Sequence, residues 1–202
     1  MSRILRWALC AWLAGAPVAH AAASPTLYAW LEQQHQPMRR YRTVLRQAVH
    51  DLSYDYRMPT LMLPIAMDVY TGYLAQVHEI ERQVLYPAVQ ARMTPEQQRQ
   101  LTFLDHEIDS EHDMIIRWQR ETTKTGLIDA LDYLEKMLNR HLVLQEQWVF
   151  PVLDKVSAKE QGEILKRLSA MELALLGRTG RQRYEAVLAY LEGEIVRISP
   201  LM

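Results

Sequence analysis

The stretch LEKMLNRHLVLQEQWVFPVL, residues 134–153, reads as one amphipathic helix with a histidine in its apolar face. Leu134, Met137, Leu138, Leu144 and Trp148 recur three, four or seven residues apart, which puts them on one side. His141 falls in the same stripe. An imidazole is polar and ordinarily avoids such a face, yet the chain repeats the placement on three further predicted helices. His35 stands in line with Tyr28, Leu31, Met38 and Leu45. His78 follows Met67 and Leu74 and precedes Leu85 and Val89, and His112 lies with Leu104, Ile108 and Ile115. His50 and His106 have charged and polar neighbours and read as solvated. One inward ring is most simply a core histidine bonded to a backbone carbonyl. Four of them, on four helices folded into an antiparallel bundle, converge on one volume, and a metal ion or a pair of ions is the economical reason to gather them.

Residues 1–21 carry the marks of an export signal. Arg3 and Arg6 form a basic start, Ile4 to Val18 is a mostly apolar run too short to span a bilayer comfortably, and Ala19-His20-Ala21 is a small-x-small cleavage site. The mature chain is expected to be soluble, periplasmic or secreted, with no stable membrane anchor. Leu9 before Cys10, and the early position of that cysteine, argue against a lipid. Cleavage removes the single cysteine, and with it any disulfide, thiolate metal site or Cys-x-x-Cys-His haem attachment. It also removes Arg3 and Arg6 but no acidic residue, moving the formal charge from −1 to −3. That balance offers no footprint for nucleic acid. Roughly 180 residues remain, enough for one domain with a substantial core.

Glycine is scarce and apolar residues recur at helical spacing almost throughout, so the chain is read as all-α. Ser24-Pro25 opens helix 1, which runs to about His50. An irregular connection holding Pro59 and Pro64 precedes helix 2, which ends near Gln90. Thr94-Pro95-Glu96 opens helix 3, to about Glu121, and Thr125-Gly126 marks the turn into helix 4, ending near Leu153. Ser157 and Glu160 have the spacing of a capping box and start a fifth helix that stops at Gly177. A last amphipathic stretch follows Gly180. The expected organisation is a signal peptide at 1–21, a four-helix bundle at 24–154 and a C-terminal helical extension at 157–202. The last helix covers the bundle or, alternatively, forms a homodimer contact.

Helices 2 and 4 echo one another. Tyr86-Pro87 and Phe150-Pro151 close them, and superposing the prolines brings His78 within one position of His141 and Arg82 onto Glu146. At these residues, from about His35 to Pro151, the chain resembles the hemerythrin-like, or HHE cation-binding, family. The resemblance rests chiefly on His141 with Glu146 five residues on, ahead of Phe-Pro, and on His78 with Glu79, Glu81 and Tyr86-Pro87. His35 and His112 resemble the ligands of helices 1 and 3. It implies a bundle whose core holds a non-haem iron centre, mono- or di-iron, with His35, His78, Glu81, His112, His141 and Glu146 as the ligand set. It also implies a small-molecule or gaseous ligand such as oxygen or nitric oxide at the metal. Imidazole and carboxylate suit other divalent transition metals equally.

The chain departs from the family pattern in two places. The bridging carboxylate expected four residues after the second-helix histidine is replaced by Arg82. Glu81, at three residues, shares the face of His78 and substitutes if the helix rotates; otherwise Arg82 enters the core, bonds Glu146 and displaces a metal. The helix-3 histidine pair of oxygen-carrying members is also missing, because His106 and His112 are about 120° apart. His141 and Glu146 diverge by about 140° on a regular helix, and a widened π-type turn is needed to bring them to one side. Pro151, which has no N–H for the carbonyl of Gln147, loosens the helix at that point.

Three functions compete. The first is an exported metal protein that binds or senses a small ligand, or buffers iron. The second is an enzyme oxidising ferrous iron or consuming peroxide, for which the sequence shows no specific feature. The third is a helical scaffold or partner-binding protein with a degenerate site, to which Arg82 lends weight. A carboxylate-rich ferritin-like site is less consistent with a set in which histidines equal or outnumber carboxylates.

Overall fold

A computed structural model describes residues 26–53, 62–121 and 123–198, all helix or short connections with no strand among them. The predicted signal peptide at 1–21, the Ser24-Pro25 cap and Pro59 lie outside the described residues. Helix α1 is Leu27–Ser53, α2 spans 62–90, α3 is Pro95–Arg120 and α4 spans 124–153; α5 is Ala158–Leu176 and α6 is Gly180–Ile198.

Local chemistry sets the ends of these helices. Thr26 caps α1, its Oγ1 accepting from the N–H of Ala29 at 3.0 Å. Thr94 and Gln97 form a reciprocal capping box before α3, and Ser157 and Glu160 another before α5. Helix α4 starts one turn earlier than the sequence suggests. Thr123 caps it by accepting from the N–H of Gly126 at 3.1 Å, so Thr125-Gly126 sits inside the first turn. Pro64 likewise falls within the first turn of α2, where no intrahelical N–H partner is needed. Gly177 ends α5 at φ +69°, a left-handed conformation that glycine adopts without steric penalty.

The most extensive pairings are α1 with α4 and α3 with α4, while α5 and α6 pack across α1 and α2. The interior has two apolar halves. In one, Met38, Tyr41, Tyr73, Leu138 and Leu142 meet Leu188 and Leu191 of α6. In the other, Leu31, Ile80, Leu85, Leu104 and Val149 meet Ile164 and Leu168 of α5. Between them in the sequence of α1, α2, α3 and α4 lie Gln34 and His35, His78 and Glu81, Glu107 and Glu111, and His141 and Gln145, all buried. The bundle therefore carries a polar layer at mid-height, closed by hydrocarbon above and below. Arg40 ties α6 to α1 by a forked pair with Glu192, at 2.8 and 2.6 Å, and by a second bond to Glu185.

Three π-helical segments interrupt the regular helices, Tyr70–Leu74 and Glu81–Leu85 in α2 and Gln145–Val149 in α4. The last two precede the Tyr86-Pro87 and Phe150-Pro151 pairs, so the sequence echo is also a structural one. Proline lacks the N–H for an i→i−4 bond, and the residue before it bonds one position further back. Tyr86 N–H goes to the carbonyl of Glu81, and Phe150 N–H to that of Gln145.

Candidate metal centre

Each π segment begins with a side chain that enters the polar layer. Glu81 and Gln145 occupy equivalent places, six residues before their prolines, and both are completely buried. They meet: Gln145 Nε2 donates to Glu81 Oε2 at 2.8 Å. The Gln145 carbonyl oxygen lies 2.6 Å from His35 Nε2, and Tyr86 Oη lies 3.3 Å from Glu81 Oε2. His78 and His141 stack with ring centroids 4.5 Å apart. One ligand atom each from His78, Glu81 and His141 falls within 4.8 Å of the others. Glu111 closes the group from α3, 3.4 Å from His78 Nδ1 and 3.9 Å from His141 Nδ1, with Tyr70 donating to its Oε2 at 3.0 Å.

Four of the six residues expected at the site, His35, His78, Glu81 and His141, are thus gathered in one buried layer. Two are placed otherwise. His112 lies on the exposed face of α3, and Glu111 takes the inward place beside it. The reason is helix phase. Leu101, Leu104, Ile108, Glu111, Ile115 and Trp118 alternate by three and four, the seam of a bundle helix, and His112 is one step outside it. Glu146 is 44% exposed because the π turn begins at Gln145 and carries that residue inward instead. Glu146 still reaches the rim, 3.3 Å from His35 Nδ1, and is held by Arg39 at 2.7 Å.

Arg82 does not enter the core or bond Glu146. It turns outward to the side chains of Asp105 and Asp109 on α3. Asp109 therefore pairs with Arg82, and Glu32 pairs with Arg39 at 2.7 Å. His50 and His106 are exposed, as their neighbours predict.

Burial dominates the electrostatics. It pushes His78 well below the ordinary imidazole range, with His141 adding to the effect. Burial also opposes charge on His141, but the Glu81 and Glu111 carboxylates outweigh it and hold that ring above its usual value. Glu111 is raised by burial to about 7. Both nitrogens of His78 and of His141, with Glu81 Oε1 and Glu111 Oε1, have no hydrogen-bond partner. A buried polar atom left so is destabilising by about 1–3 kcal/mol, and here six such atoms belong to four side chains of one layer. A cation that takes one nitrogen from each ring together with carboxylate oxygen satisfies up to four of these atoms, so the residues fit a transition metal.

Residues 26–153 match the hemerythrin HHE cation-binding domain. The chain belongs to that family. No curated protein and no solved structure matches it. In this hemerythrin HHE domain the third helix brings Glu107 and Glu111, four residues apart, to the buried layer. Glu111 and Gln145 are the site residues that sequence reasoning missed. Glu111 was detectable from its seven-residue spacing to Leu104 and Trp118. Gln145 was detectable from its match to Glu81 when the prolines are aligned.

Proposed function

We propose that this hemerythrin HHE protein is an exported non-haem iron protein that binds one ion through His78, Glu81 and His141, with Glu111 completing the donor set. Imidazole nitrogen and carboxylate oxygen together are donors that suit ferrous iron. The observation that carries the reading is the convergence of fully buried, unpartnered nitrogens and carboxylate oxygens within 4.8 Å of one another. Iron held by these residues would bind a diatomic ligand such as oxygen or nitric oxide, or would itself be the stored cargo. The chain's own residues do the rest. Gln145 positions Glu81 and His35, Glu146 orients the outer nitrogen of His35 from the rim, and Tyr70 orients Glu111. The apolar halves on either side keep bulk water from the layer. Export is supported by the basic, apolar and small-residue pattern of residues 1–21.

Elemental analysis of the purified mature protein tests this. The expected content is one iron per chain, lost in His141→Ala and retained with weaker binding in Glu146→Ala. No metal in the wild type, or full content in His141→Ala, refutes the site and leaves a helical scaffold.

A further inference from the structure

Between α2 and α3 a cavity of about 470 Å3 is lined at its mouth by the exposed Asp109, His112 and Asp113 and further in by the buried Tyr70, Ile108 and His78. His78 is fully buried with no hydrogen-bond partner on either nitrogen, so the cleft ends at an unsatisfied imidazole. Its walls also carry Glu79 and Arg82 of α2 and Asp109, His112 and Asp113 of α3. Arg82 crosses the cleft to bond Asp109, so that carboxylate is already paired and one end of the cleft is fixed. Tyr70, Ala75, Gln76 and Ile108 line the rest, and the other ionisable groups are Glu79, which accepts from Gln83, with His112 and Asp113; together they carry net negative charge. Helices α5 and α6 pack on α1 and α2, and none of their residues lines this cleft.

We propose that the α2–α3 cleft is the entry route of the metal ion, and that Glu79, His112 and Asp113 capture a hydrated divalent cation before it passes to His78. The inference rests on the metal-binding reading above and adds a role for His112, the one stripe histidine that the core does not use. Capture is ligand exchange: water leaves the cation as carboxylate oxygen and imidazole nitrogen replace it, with no change of oxidation state. Negative charge lining a cleft raises the local concentration of cations and their association rate, an effect that salt screens.

Stopped-flow mixing of the metal-free mature protein with Co2+, followed by the cobalt absorption, tests this. In the triple variant Glu79→Gln, His112→Ala, Asp113→Asn the association rate at low salt falls about tenfold. The final loading stays at the wild-type value and the salt dependence weakens. The exposed substitution Asp154→Asn, in the turn just after α4, leaves the rate unchanged. The three positions are outside the core, so an unaltered thermal midpoint shows that the triple variant folds. An unchanged rate with full loading overturns the entry route alone. Loss of stoichiometry also overturns it, by making one of the three a resident ligand. Absence of Co2+ uptake by the wild type refutes the metal-binding reading, and the entry route with it.

Discussion

Glu111 is the residue on which the polar layer turns, because it is completely buried and faces both stacked histidines. In the metal-free folded protein it keeps its proton up to about pH 7, whereas an unfolded carboxyl loses it near 4.5. Between those values the folded state binds more protons than the unfolded one. The stability associated with that proton is therefore full below about pH 4.5 and is lost as the pH rises through about 7. His78 acts oppositely: its folded value lies below 6.5, so its contribution is present above that pH and is lost on acidification. Glu111→Gln keeps the shape and removes the titration. Thermal unfolding of the metal-free proteins from pH 4.5 to 8 should show the variant gaining on the wild type as the pH rises. Parallel profiles would contradict the assignment. Metal binding requires the same carboxyl deprotonated, so loading should also release protons.

At the scale of the element, the π turns before Pro87 and Pro151 re-phase α2 and α4 so that Glu81 and Gln145 enter the layer. Pro151→Ala restores an N–H for the carbonyl of Gln147 and allows a regular helix to continue. Gln145 then rotates away from Glu81 and His35. The expected result is metal affinity weakened by about 10–100-fold with helix content unchanged, as measured by competition against a chromophoric chelator. Unchanged affinity would show that the π turn does not set the site. These elements also mark how far the sequence could be read. The caps at Thr94 and Ser157 and the stop at Gly177 were legible because each depends on a few adjacent residues. The histidines of α1, α2 and α4 were legible because their apolar neighbours share one phase. His112 was misplaced because a one-residue shift on α3 separates the seam from its edge, and a charged Glu111 argued against an inward place until the layer around it was known. The π turn in α4 was anticipated from Pro151, but its first residue decides whether Gln145 or Glu146 turns inward, and that depends on tertiary contacts with Glu81 and His35.

Across the whole molecule, four helices deliver polar side chains to one level while two hydrophobic halves hold them there. Helix α5 backs the half that contains Val149, and α6 the half that contains Leu138, so the extension clamps both sides of the layer. Such a layer is unfavourable unless its buried donors and acceptors are satisfied, and a bound cation offsets part of that cost. No helix among the described residues is long and apolar enough to cross a membrane. The most direct test is anomalous diffraction at the iron edge from crystals of the iron-loaded mature protein. The account predicts one strong peak per chain, bonded to His78, Glu81 and His141. A peak at any other place, or an iron-soaked protein with no peak between those side chains, would contradict it.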